Sequence, residues 1–82
     1  MQKIKGKRVT DSQVEVFDIL ATYGPLPDHA LVPLAQHVAK SHQSSSGIRT
    51  RRSELQGLGL VKDTGTTIQT ASGREAAVFR AK

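Results

Sequence analysis

Cysteine and tryptophan are absent from the 82 residues of this chain, and Phe17, Tyr23 and Phe79 are its only aromatic side chains. Without thiols there can be no disulfide staples and no thiolate metal sites. His29, His37 and His42 are spaced by eight and five residues, so no two fall on adjacent helical turns, and no carboxylate cluster completes a ligand set. Neither a metal nor a cofactor is expected. No apolar stretch approaches the roughly 18 residues that span a bilayer. The opening Met-Gln-Lys-Ile-Lys-Gly-Lys-Arg lacks the apolar run of a secretion signal. A soluble, cytoplasmic protein without a membrane partner is the expectation. The serines at 44–46 have no oriented histidine and acid close in sequence, and no phosphate-binding glycine loop is present. A chain of this length makes one domain with no room for a large enclosed substrate pocket. An enzyme is therefore not expected.

Acidic side chains are few, 7 against 12 lysines and arginines, and they are unevenly placed. Residues 1–10 hold Lys3, Lys5, Lys7 and Arg8 and no acid; residues 11–38 hold Asp11, Glu15, Asp18 and Asp28 and no lysine or arginine. The remaining residues, 39–82, carry eight basic and three acidic side chains and give the chain its net charge of +5. A basic stripe on one face is the electrostatic footprint of a nucleic-acid binder. A solvated surface is the plainer account of charge alone.

Residues 1–9 have no pattern able to bury itself and read as a flexible basic arm, with a folded domain over 10–82. Thr10, with Gln13 three positions later, is a helix start of the capping-box kind. Val14, Phe17, Leu20 and Ala21 recur at helical spacing, and Gly24-Pro25 ends the run. Asp28 is expected to cap a second helix reaching about Ser41, with Leu31, Leu34, Ala35 and Val38 buried and Pro33 kinking or delaying its start. After a turn at His42-Gln43-Ser44, Ser45 or Ser46 caps a third helix.

On that third helix Ile48 and Leu55 share one side, with Ser46, Arg49, Thr50 and Ser53 opposite and Arg51 and Arg52 flanking the buried stripe. Period-2 patterning follows, over Leu60–Thr64, Thr66–Thr70 and Ala76–Ala81 with Phe79 facing in, and Ala71-Ser72-Gly73 reads as a turn. The expected fold is α+β, mostly α: three helices and a C-terminal β-hairpin, the plan of a winged helix-turn-helix.

Short polar residues and arginine on the outer face of a short helix suit a DNA major groove. Arginine can grip guanine bidentately there, and hydroxyls can donate or accept. The candidate DNA-binding residues on the helix are Ser45, Ser46, Arg49, Thr50, Arg52 and Ser53. For Arg51 and Arg52, pairing with an acid such as Glu54 or one on the first helix is as open as contact with phosphate. Ser72 and Arg74 lie at the hairpin tip, and Lys3, Lys5, Lys7 and Arg8 could track phosphates or enter a minor groove. For the tip and the arm alike, ordinary exposed turn and tail residues are the bland alternative.

Ser45-x-Gly47-Ile48-Arg49, with Leu55 seven positions after Ile48 and Gly59-Leu60-Val61 beginning four after Leu55, resembles the recognition-helix-to-wing passage of MarR-type winged helix-turn-helix regulators. Thr70-Ala71-Ser72-Gly73-Arg74 followed by Ala77-Val78-Phe79 resembles the wing of small bacteriophage winged-helix proteins. The resemblance covers about residues 10–81. It implies a third helix in the major groove and Arg74 on a minor groove or phosphate. It also implies a small prokaryotic or phage regulator of transcription or replication, binding double-stranded DNA in a bacterial or phage-infected cell. MarR-type proteins usually carry apolar residues where Arg51 and Arg52 stand. Their extra terminal helices, which build a dimer and a ligand pocket, are not expected here, so small-molecule sensing is not expected either, and monomer and homodimer are both open. The rival reading is a winged-helix protein-interaction module that sets its basic face on RNA polymerase or another protein complex. An RNA-binding winged helix is a further one.

Overall fold

Lys5 and Gly6 both adopt positive φ, 49° and 81°, and turn the chain sharply back on itself. In the computed structural model, which describes residues 2–82, they join β1 (Gln2–Ile4) to β2 (Lys7–Val9) as an antiparallel pair with Gln2 opposite Val9, Lys3 opposite Arg8 and Ile4 opposite Lys7. Two positive-φ residues in a two-residue loop are the turn geometry whose twist matches that of the strands. Val9 is buried in the main core and Ile4 packs against it. The segment read from the sequence as a flexible arm is thus a hairpin anchored by its apolar residues, too short for a period-2 pattern to be told apart from lysine-rich tail.

Thr10 opens α1 (Asp11–Tyr23) with the reciprocal cap expected of it: Gln13 N–H donates to Thr10 Oγ1 at 3.2 Å and Thr10 N–H donates to Gln13 Oε1 at 2.9 Å. Its buried residues are Val16, Ile19 and Leu20. Val14 and Phe17 are only partly buried and Ala21 is exposed, so the inward stripe is rotated from the expected one. Gly24, at φ 83°, closes the helix by donating to Leu20 O.

The two-residue strand β3 (Leu26–Pro27) leads directly into α2 (Asp28–Pro33), whose cap is Pro27 with no side-chain hydrogen bond. Asp28 is the first helical residue and not the cap. Pro33 has no N–H to return to the preceding turn, and after it the chain widens into a π-helical segment, Leu34–Val38, in which Ala39 N–H donates to Leu34 O. The wider turn shifts the register of the last residues. Leu31 and Ala35 are fully buried, Leu34 only partly, and Val38, expected in the stripe, is 56% exposed.

Ser44, and neither Ser45 nor Ser46, caps α3 (Ser45–Gly57): its Oγ accepts from Gly47 N–H at 3.0 Å. The helix ends in paired hydrogen bonds from Gly59 N–H to Gln56 O and from Leu60 N–H to Leu55 O, with Gly59 at φ 78°. This termination needs a left-handed residue, which glycine adopts without strain, and it brings Leu60 against Leu55.

The chain then enters β4 (Val61–Gln69) and returns as β5 (Glu75–Ala81). The two segments read separately on either side of Gly65 are one strand with a bulge. Asp63 faces Phe79 and Thr67 faces Ala77, so Thr64-Gly65-Thr66 stand opposite Val78 alone. Asp63 Oδ1 and Thr64 Oγ1 accept the N–H groups of Gly65 and Thr66 that the ladder leaves free. The sheet order is β3-β5-β4, which makes β5 central. The fold is α+β, with three helices and a three-stranded sheet around one core that includes Leu20, Leu31, Ile48, Leu55, Val61 and Phe79. No helix among the described residues is long and apolar enough to cross a membrane.

Candidate nucleic-acid interface

Ile48 and Leu55 are each 0% exposed, and they fix the rotation of α3. Seven residues are nearly two helical turns, so the two share an azimuth and the residues about half a turn away must face out. Ser45, Ser46, Arg49, Thr50 and Ser53 are all exposed, as the spacing predicts. Ser46 lies nearest the pole opposite the core, with Thr50 and Ser53 to either side of it. Thr50 Oγ1 donates to Ser46 O at 2.8 Å, leaving its lone pairs to accept. The Ser46 hydroxyl lies 3.3 Å from that of Ser44.

The arginines divide by role. Arg49 has no hydrogen-bond or ion-pair partner among the described residues, while Arg51 bonds Glu54 through Nε at 2.6 Å and Nη2 at 3.2 Å. Arg52 crosses to α2 and holds both oxygens of Asp28, at 3.0 and 2.7 Å, and its third nitrogen donates to Gln56 Oε1 at 3.0 Å. Its guanidinium carbon stands 3.9 Å from the centroid of the Phe79 ring. The guanidinium of Arg52, unlike that of Arg49, is thus engaged within the fold. At its azimuth, beside the buried stripe, the side chain reaches the aspartate and the ring before it reaches solvent. Its acid lies on the second helix, a pairing invisible in a sequence where 24 residues separate the two.

Two flanks of α3 are thereby distinguished. On one, Ser45, Arg49 and Arg52 line an open groove of about 580 Å³ whose other walls are His29, Val32 and Pro33 of α2 and Ala76, Ala77 and Phe79 of β5. On the other, Gln13 of α1 donates to Glu54 Oε1 at 3.1 Å, the oxygen that also accepts from Arg51. The Arg51 hydrogen bond, then that of Gln13, holds the Glu54 carboxyl below its ordinary value of 4.5.

The hairpin tip is ordered by Thr70 N–H donating to Arg74 O at 2.7 Å and Gly73 N–H donating to Thr70 O at 2.9 Å. The Ser72 hydroxyl is engaged with that of Thr70, and Arg74 is exposed. Lys3, Lys5, Lys7 and Arg8 are exposed on the N-terminal hairpin, separate from α3. The structure thus gathers Ser45, Ser46, Arg49, Thr50 and Ser53 on one helix face, sets Ser72 and Arg74 at the end of β4–β5, and places the four N-terminal cations on a ribbon of their own. Sequence reasoning missed the α2 wall of the groove. Its residues, His29 and Val32 among them, look like ordinary helix residues until the fold sets them beside Arg49. Among the described residues, no group of three His, Asp or Glu side chains is placed to hold a metal ion.

No protein-family model and no curated protein matches the chain.

Proposed function

We propose that the chain is a winged helix-turn-helix protein that binds double-stranded DNA with sequence preference, α3 in the major groove and β4–β5 as its wing. The observation that carries this reading is the rotation of α3. With Ile48 and Leu55 buried, the outward face consists of small hydroxyl residues and one arginine without an internal partner. Small side chains let a helix approach base edges closely, and a free guanidinium can grip guanine O6 and N7. Arg49, Thr50 and Ser53 supply base readout; Arg74 and the other exposed cations supply phosphate contact, which positions the helix and gives most of the affinity. A regulator of transcription or replication is the role such a module fits.

The test is a salt titration of binding to random duplex DNA. Phosphate contacts produce a linear loss of log affinity against log salt, with a slope of roughly −0.9 per phosphate neutralised. A steep slope supports the reading. A flat response, or no binding at low salt, overturns it in favour of a protein partner for the same face.

A further inference from the structure

The antiparallel register of the N-terminal hairpin sets Lys3 directly opposite Arg8. In a two-residue hairpin the pair flanking the loop, here Ile4 and Lys7, exchanges both backbone hydrogen bonds. The next pair is then the non-hydrogen-bonded one, with Cα atoms only about 4.5 Å apart and side chains at their closest. Period 2 puts Gln2, Ile4, Lys7 and Val9 on the face that carries the buried Val9, and Lys3 and Arg8 on the other. Two like charges in that position repel and weaken the strand pair. Neither has an acidic partner within 4.0 Å among the described residues. Lys5, in the turn, and Lys7 add to the same ribbon.

The ribbon is also fixed in place. Val9 is 1% exposed, and the Gln2 amide donates to Asp11 Oδ1 at 2.9 Å. From its root, Thr10 N–H reaches Gln13 Oε1, and Gln13 Nε2 reaches Glu54 on α3. This is the flank of α3 away from Arg49 and the groove. α3 therefore has β5 at its Arg52 flank, and at its Glu54 flank it has α1, whose N-terminus carries β1–β2 without the ribbon itself bonding α3.

We infer that β1–β2 is a second, N-terminal wing, a preformed clamp whose Lys3–Arg8 pair takes the phosphate backbone of the duplex on the far side of α3. The inference rests on the DNA-binding reading above. Phosphate relieves the repulsion that the pair carries in the free protein. Because the ribbon is folded before it binds, the contact does not require the ordering of a tail.

The experiment compares the full chain with Lys3→Gln, Arg8→Gln and the double variant, on random duplex DNA across a salt series and in thermal melts. Each single change should make the log–log slope shallower by about 0.9, and the double by about 1.8. The melting temperature should hold or rise, since the substitutions remove a repulsion and bury nothing. A wild-type chain that binds with a steep slope while the double variant keeps that slope overturns the second wing alone. Melting temperatures that fall in all three variants overturn the strained-pair argument on which it stands. A wild-type chain that does not bind DNA overturns the DNA reading and the clamp together.

Discussion

Arg52 sits over the ring of Phe79, its guanidinium carbon 3.9 Å from the centroid, while two of its nitrogens hold Asp28. One side chain of α3 thereby ties the first turn of α2 to the central strand of the sheet. Arginine suits this position as lysine does not: only a planar fork can meet both carboxylate oxygens and stack on a ring at once. The distance from α3 to the β4–β5 hairpin depends on this junction.

Arg52→Ala should cost about 1–3 kcal/mol of stability, from a partly buried ion pair and a cation–π contact, with Asp28 left unpaired. The pair is not fully enclosed, its side chains being 16% and 24% exposed, which keeps the cost below that of a deeply buried bridge. Urea denaturation of R52A, D28N and the double variant gives the coupling directly. Additive losses would show that the two residues do not act together.

Leu55→Ala should cost about 2–5 kcal/mol, a large part of the stability of so small a domain. Leu55 is fully buried in the same core cluster as Leu60. Thermal or urea melts check it, and an unchanged midpoint would mean that α3 is rotated away from the orientation described.

Val9→Ala should cost about 1–2.5 kcal/mol, because the residue is buried in the same core as Leu55. A freely moving arm would show no such loss. The difference between β1–β2 as a packed hairpin and as a tail is read by the same melts.

Glu54 carries a pH dependence of fixed sign. Its carboxyl is held below the ordinary 4.5, first by Arg51 and then by Gln13. A depressed carboxylate contributes stability that is present above 4.5 and is lost as the pH falls through its folded value. E54Q should therefore differ slightly from wild type near neutrality, and the difference should vanish below that value. The contribution is small because the group faces solvent. A difference that grows on acidification would contradict the assigned cause.

The helices and the hairpin were legible wherever one local signal decided the outcome. Thr10 and Gln13 mark the start of α1, Gly24 its end, and the Ile48–Leu55 interval the rotation of α3, because each acts through its own backbone or its own face. What could not be read depended on partners distant in sequence or on backbone geometry without a side-chain signature. The π-helical widening after Pro33 moves Val38 outward, and the bulge at Gly65 joins two segments into one strand. Two positive-φ residues fold what looks like a lysine tail. Ser44 displaces Ser45 and Ser46 as cap because any of three consecutive serines could serve, and only the preceding path of the chain selects among them. On α3, Arg49 and Arg52 are identical in type and three residues apart. The Asp28 and Phe79 contacts alone separate the free one from the committed one.

The central claim is that the face of α3 bearing Arg49, Thr50 and Ser53 reads DNA bases, and selection of bound duplexes from a random pool tests it most directly when run with wild type and Arg49→Ala in parallel. Wild type should enrich a common motif. Arg49→Ala, at unchanged melting temperature, should lose about 1–3 kcal/mol on it and relax preference at one position, a guanine. A pool that converges on no sequence, or a variant that weakens every duplex equally, would contradict the account.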